Sequence, residues 1–179
     1  MLRLEVASWS RLPPPESSMS HFQTERKISQ IHVTADPVIR VKAPGPELGL
    51  RILEEEGCPR RPDGLVVGWA VKSRKPGKPF LREVARCIEW LRDAYGADSV
   101  LIPFFHDEDF SVCQAVAGHL EGHAGCLRKK YLSEETLSII GCMDVLVGVR
   151  LHSLIYAAVM GVPMIGVSYD PKVDSFLAS

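Results

Sequence analysis

The stretch VGVRLHSLIYAAVMGVPMIGVSYDPKVDSF, residues 147–176, has the pattern of a buried strand, a helix and a second buried strand. The apolar runs on either side of the helix are typical of strands covered on both faces, and Gly161 is suited to end the helix. Arg150 and His152 follow the first strand, while Tyr169, Asp170 and Lys172 follow the second. A strand–helix–strand unit of this kind predicts a parallel sheet.

Upstream of this unit, strand and helix patterns alternate along the chain. Apolar runs predict strands at 31–34, 64–71, 99–105, 124–127 and 144–149. Helices are predicted at 47–57, which has the charge pattern of a solvated helix, at 80–96, which is amphipathic, and at 107–122 and 133–142, whose first turns carry acidic residues. This alternation predicts an α/β fold, a Rossmann-like parallel sheet with helices on both faces. Residues 31–179 are predicted to form this domain. Residues 1–30 include three consecutive prolines and show no sustained periodicity, so they are predicted to be an irregular lead-in.

Charge and composition argue against several classes of partner and location. The formal net charge is −1, from 21 Lys and Arg against 22 Asp and Glu, which does not favour binding to nucleic acid or an anionic membrane surface. The longest apolar run, 154–167, is interrupted by Gly161 and Pro163, so we expect no transmembrane segment. Five scattered cysteines without a CxxC pair favour a reducing compartment, and we expect a cytoplasmic protein.

Charged residues gather where the predicted strands end, which is the edge at which parallel α/β sheets bind ligands. Arg150 and His152 stand beside the free N–H groups of a predicted helix start, a combination that suits a phosphate or a carboxylate. A surface arginine with a packing histidine is the alternative. Pro171 stiffens the turn before Lys172, although an ordinary turn with a solvated lysine has the same pattern.

Two further polar segments are more ambiguous. The basic loop with Lys72 and Arg74 suits an anion, but it is also typical of a solvated loop. The run from His106 to Asp109 suggests a metal site, yet acidic residues are also favoured in the first turn of a helix. No second cluster of ligands accompanies this run, so we expect no metal.

Several motifs together resemble the polysaccharide pyruvyl transferases, and most closely the bacterial branch that modifies cell-wall polysaccharide. The resemblance covers 31–179. Its most specific elements are RLH at 150–152 and YDPKV at 169–173, in combination and in spacing. Weaker elements are VTADPV at 33–38, VVGWAV at 66–71 and PFFHDEDF at 103–110.

The resemblance implies a fold and a reaction. Members of the family have two Rossmann-like domains in a glycosyltransferase-B-like arrangement, and this chain resembles the carboxyl-terminal one. The amino-terminal domain of the family precedes the VTADP segment and is expected to be missing here, since 1–30 do not resemble it. The reaction moves the pyruvyl group of phosphoenolpyruvate onto a sugar, forming a cyclic ketal and releasing phosphate. In the cell-wall branch the sugar is N-acetylmannosamine of a wall polysaccharide, supplied as a lipid-linked precursor, and the ketal anchors S-layer proteins.

The resemblance also implies roles for individual residues. His152 matches the motif histidine and is predicted to be the general acid and base, with no cofactor. Substrate contacts are predicted for Arg150, Leu151, Tyr169, Asp170 and Lys172. Where many relatives have an arginine after the second strand, this chain has WAVKSRK, so Lys72 or Arg74 is the predicted substitute.

Two other functions remain open on the sequence. A nucleotide-sugar-dependent glycosyltransferase of similar architecture would need a base and ribose pocket, and no ribose-binding carboxylate after a Gly-rich turn is evident. A non-catalytic fragment is the second alternative, either alone or as a half that works with a separately encoded amino-terminal partner. Binding of phosphoenolpyruvate, compared with binding of a nucleotide sugar, distinguishes these readings.

Overall fold

The computed structural model of the chain describes residues 4–7, 36–42, 44–58, 60–61, 63–72, 78–120, 122, 124–168 and 170–178. Strands and helices alternate through most of these residues. The strands are β1 (Leu4–Ala7), β2 (Val66–Ala70), β3 (Asp98–Leu101), β4 (Ala124–Cys126), β5 (Val145–Gly148) and β6 (Met164–Val167). The helices are α1 (Pro46–Glu55), α2 (Lys78–Tyr95), α3 (His106–Ala117), α4 (Ser133–Ile140), α5 (Leu151–Met160) and α6 (Pro171–Leu177), with a 3-10 helix at Pro37–Arg40.

The six strands form one sheet in the order β1-β6-β5-β2-β3-β4. Strands β2 to β6 pair with one another in parallel, and β1 pairs antiparallel with β6 at one edge. The predicted fold class, a Rossmann-like parallel sheet covered by helices, is confirmed. The chain runs outward from β2 through β3 to β4, then returns to place β5 on the other side of β2. Strands β2 and β5 therefore flank the topological switch point of the sheet.

Two hydrophobic cores cover the two faces of the sheet, because successive side chains of a strand point to opposite faces. Val66 packs in the core that also contains buried side chains of α1, α4, α5 and α6. Its neighbour Val67, with Trp69, packs in the other core against α2 and α3. Every residue of β2 is buried, as its continuous apolar run predicts for a central parallel strand.

Local sequence explains where the elements around the switch point begin and end. Gly161 ends α5 in the left-handed region, with φ +68°, where a side chain would be strained. Helix α4 begins after Leu132, whose backbone N–H donates to the Glu135 carboxylate at 2.7 Å, so Ser133 is its first residue rather than its cap. Asp170 caps α6 by accepting from Lys172 N–H at 3.0 Å.

The structure differs from the sequence-based description at the amino-terminal side. Strand β1 lies within 1–30, the segment predicted to be irregular, because β6 offers an open sheet edge with which four residues can pair. So short a strand leaves no detectable periodicity. The predicted strand at 31–34 lies outside the described residues. Within the described part of the chain, no helix combines the length and apolar character needed to cross a bilayer.

Candidate active site

The candidate site lies where β2 and β5 end side by side, at the switch point of the sheet. Lys72 follows β2, and Arg150 and His152 follow β5 at the start of α5. In open α/β sheets this crevice is the usual place for a ligand, because the flanking loops diverge there. We call Lys72, Glu108, Asp109, Arg150 and His152 the switch-point cluster.

Arg150 is a buried cation of the cluster, and its ion-pair partners are carboxylates. Its Nε and Nη2 donate to the two oxygens of Asp109 at 2.8 and 2.7 Å, and Nη2 also donates to Glu108 at 2.6 Å. The guanidinium carbon lies 4.4 Å from the centre of the Phe105 ring. The arginine side chain is 9% exposed and Asp109 is fully buried, whereas Glu108 is 66% exposed.

These contacts favour the charged forms of both Arg150 and Glu108. Burial alone lowers the pKa of Arg150, but hydrogen bonds to Asp109 and Glu108 outweigh it, so the pKa lies above its ordinary value. The pKa of Glu108 lies below its ordinary value, chiefly because Arg150 donates to it and carries positive charge, with a smaller contribution from Lys72. Arg150 and Glu108 are therefore both charged at neutral pH, and Lys72 lies near the same Glu108 carboxylate as Arg150.

Asp109 also holds the start of α3. Its Oδ2 accepts from the backbone N–H of Phe105 at 2.9 Å, one of the donors that a helix start leaves without an intrahelical partner. The same carboxylate thus connects the loop after β3 with Arg150 after β5. The acidic run that suggested a metal in the sequence instead supplies a helix cap and two ion-pair partners.

His152 presents its ring to solvent at the same edge. Its side chain is 53% exposed, and its Nε2 lies 3.7 Å from Oδ2 of Asp36. Asp36 is itself held, because its Oδ1 accepts from Val38 N–H at 3.0 Å and caps the 3-10 helix. The ring of Phe105 lies edge-on to the imidazole, with 6.3 Å between ring centres. The arrangement leaves His152 accessible and beside a carboxylate of fixed position.

The remaining predicted contacts divide into four groups. Leu151 is half-buried and packs against the core beneath α5. Lys172 is exposed in the first turn of α6, beyond the end of β6, and β6 is the neighbour of β5. Asp170 accepts from the backbone of Lys172, so in this structure it acts as a helix cap. Tyr169 and Arg74 lie outside the described residues.

Four residues of the site were not predicted from the sequence: Asp36, Phe105, Glu108 and Asp109. Asp36 followed by Pro37 is the pattern of a helix cap with proline at the first helical position. This local signal could have predicted the helix start at Asp36. The acidic residues of 107–109 were recognised only as a helix start. Their attachment to Arg150 has no local signal, since Asp109 and Arg150 are 41 residues apart.

Comparison with known proteins agrees with this architecture. The family model for polysaccharide pyruvyl transferase matches residues 16–171, which is most of the chain. Searches of curated proteins and of solved structures returned no match. The extent of the family match, together with the parallel α/β sheet, establishes that the chain belongs to the polysaccharide pyruvyl transferase family.

Proposed function

We propose that the switch-point cluster binds phosphoenolpyruvate and helps to transfer its pyruvyl group to a sugar of a cell-wall polysaccharide, with N-acetylmannosamine as the acceptor unit. The observation that carries the proposal is the position of Arg150, Lys72 and the accessible His152 at one crevice of a chain that belongs to this family. Phosphoenolpyruvate brings a carboxylate and a phosphate, and arginine binds both groups through charge-assisted hydrogen bonds.

On this proposal, Glu108 occupies the position near Arg150 that an acidic group of the donor takes over. Asp109 is buried and holds one side of the guanidinium, whereas Glu108 is exposed and reaches Arg150 through a single nitrogen. Of the two carboxylates on Arg150, only the exposed Glu108 is open to exchange with an incoming anion. The donor then meets Arg150 in its existing orientation, with Lys72 beside it and Lys172 at the neighbouring strand end.

The chemistry that follows assigns proton transfer to His152. Protonation of the methylene carbon of phosphoenolpyruvate leaves an oxocarbenium-like carbon, and one sugar hydroxyl attacks it and loses its proton. Departure of phosphate regenerates an electrophilic carbon, which the second hydroxyl attacks to close the ketal. One proton is consumed at carbon and two leave the hydroxyls, so the net proton leaves with phosphate. Asp36, 3.7 Å from His152 Nε2, is suited to orient the imidazole ring for proton transfer.

Titration of the full chain with phosphoenolpyruvate, followed by thermal shift and calorimetry, tests donor binding. We expect phosphoenolpyruvate to bind and a nucleotide sugar to have no effect on the melting temperature. Stabilisation by the nucleotide sugar alone would favour the glycosyltransferase reading instead.

Turnover, measured as phosphate release with an N-acetylmannosamine-containing acceptor, tests the role of His152. His152→Ala is expected to lower kcat by roughly 10²–10⁴-fold, the usual contribution of a positioned general acid or base. Asp36→Asn keeps an oxygen for the Val38 cap and should lower kcat less, with KM for the donor unchanged. His119→Ala is the matched control, since His119 is exposed beyond the carboxyl-terminal end of α3, whereas Glu108 and Asp109 lie at its amino-terminal end. Equal activity of all these variants would exclude acid–base catalysis by His152.

A further inference from the structure

A second concave site lies beside the switch-point cluster, at the ends of β3 and β4. It is a cavity of about 300 Å³ between the loop after β3, the loop after β4 and the start of α4. This volume is at the lower end of the ~300–1,000 Å³ typical of small-molecule pockets. Phe105 and Glu108 line the cavity and also contact Arg150, so the two sites share a wall.

The cavity is apolar at its base and polar around its opening. Phe104 and Tyr156 form the aromatic part of the base, packed edge to face with 5.0 Å between ring centres, and Ile139 completes it. Ser133 and Thr136 line the cavity from α4 with hydroxyl groups, and Thr136 Oγ1, which donates to the Leu132 carbonyl at 3.0 Å, can still accept a hydrogen bond. A ligand that fits both surfaces has one apolar face and several hydrogen-bonding groups around it, which is the character of a sugar ring.

Charges at the opening are largely compensated by one another. Lys130 Nζ lies 2.9 Å from the Asp107 carboxylate, and Lys129 Nζ lies 3.7 Å from Glu55. His106 Nε2 is hydrogen-bonded to the backbone carbonyl of Arg128 at 2.8 Å. Such an opening offers directed polar contacts with little net charge. It is therefore better suited to an uncharged polyhydroxylated group than to a nucleotide diphosphate.

The wall formed by the loop after β4 is held from beneath by a buried carboxylate. Glu56, whose side chain is 1% exposed, accepts from the backbone N–H groups of Arg128 and Lys129 at 3.0 and 3.2 Å and from Tyr131 Oη at 2.7 Å. Burying a charged carboxylate is costly unless both of its oxygens accept hydrogen bonds, and both oxygens of Glu56 do so. The loop is thus preorganised, which lowers the entropic cost of binding a ligand.

We propose that this cavity is the subsite for one sugar ring of the acceptor. The inference rests on the proposed function, because the shared wall of Phe105 and Glu108 would bring the hydroxyls of a bound sugar close to a donor held at Arg150. The aromatic base receives the apolar face of the ring, and Ser133 and Thr136 contact its substituents. The specificity of the enzyme for its acceptor then resides in the loop after β4 and the first turns of α4.

The proposal is tested by NMR titration of the isotopically labelled full chain with N-acetylmannosamine and, separately, with phosphoenolpyruvate. We expect N-acetylmannosamine to shift the backbone amides of 127–136. Thr136→Trp places an indole in the cavity and should weaken sugar binding at least about tenfold while leaving phosphoenolpyruvate binding unchanged. Glu134→Trp is the matched control: it adds the same side chain to an exposed position of α4 that does not line the cavity. Thr136→Leu replaces Thr136→Trp if the larger residue prevents folding.

The two titrations separate failure of this inference from failure of the proposed function. Phosphoenolpyruvate binding without sugar shifts at 127–136, or equal sugar binding by Thr136→Trp and Glu134→Trp, would overturn the subsite and leave the donor site intact. Sugar binding that is lost in Thr136→Trp, in a chain that does not bind phosphoenolpyruvate, would support the subsite and contradict the donor assignment. Perturbation of the same amides by a nucleotide diphosphate but not by the sugar would also overturn the subsite.

Discussion

Replacing Asp109 by alanine is expected to destabilise the fold strongly, because it leaves the buried Arg150 guanidinium with one exposed partner. Asp109 accepts from Nε and Nη2 of Arg150 and from the backbone N–H of Phe105, and it is fully buried. Breaking a buried ion pair by removing one partner typically costs about 3–5 kcal/mol. For a domain of this size, a loss of that magnitude lowers Tm by roughly 6–20 °C.

The measurement is thermal and urea unfolding of the full chain, with Asp107→Ala as the matched control. Asp107 lies in the same first turn of α3, but its side chain is 78% exposed and its partner Lys130 is 69% exposed. Its removal should leave Tm close to that of the wild type. If the two variants lose similar stability, the destabilisation comes from the helix dipole rather than from the buried pair.

A double variant separates the ion pair from the burial of its members. Replacing both partners of a buried pair by apolar residues can be nearly neutral, because no charge is left unpaired. Asp109→Leu combined with Arg150→Met should therefore be more stable than the sum of the single variants predicts. Additive losses would refute the reasoning, since they would mean that Asp109 and Arg150 contribute independently.

Two further predictions concern Glu108, which contacts Arg150, and Glu56, which holds the loop after β4. Glu108→Gln should lower Kd for phosphoenolpyruvate by roughly two- to fivefold, the range of an exposed ionic interaction, because a competing anion is removed from Arg150; weaker binding in calorimetry would contradict displacement of Glu108 by the donor. Burial raises the pKa of Glu56, but hydrogen bonds from Tyr131, Arg128 and Lys129 together lower it by more. The pKa in the folded protein therefore lies below the ordinary value of 4.5. The stability advantage of the wild type over Glu56→Gln should therefore be complete at neutral pH and shrink as pH falls below 4.5, measured as the difference in Tm between pH 7 and pH 3. An advantage independent of pH would mean that the carboxylate charge is not involved.

Much of the fold could be predicted because its signals are local. The buried run of β2, the apolar pattern of α5 and the glycine that ends it each act within a few residues. The strand–helix–strand unit then predicts that β5 and β6 are parallel, with their carboxyl ends at one edge of the sheet. The pairing of β5 with β2 on its other side is not specified by a local signal. Placement of Arg150 and His152 at one crevice followed from this topology.

The partners within the site could not be predicted because they are distant in sequence. Asp109 reaches Arg150 from the first turn of α3, and Asp36 reaches His152 from the cap of the 3-10 helix. The sequence predicts a solvated helix at 47–57, and Glu56 is the last of three consecutive glutamates in it. Its burial depends on donors from the loop after β4, which no pattern near Glu56 specifies.

Arg150 needs a partner in the empty protein and must still attract an anionic donor, and its two carboxylate partners serve these two needs separately. A buried guanidinium without a partner would be unstable in the empty protein, yet one fully neutralised by buried carboxylates would have little attraction for an anionic donor. Asp109 meets the first requirement, because it is buried, bidentate and tied to the Phe105 backbone. Glu108 balances the charge that remains, but from an exposed position that a phosphate or carboxylate could occupy. On this proposal Asp109 keeps Arg150 paired in the empty protein, and the donor exchanges one exposed carboxylate, that of Glu108, for its own acidic group.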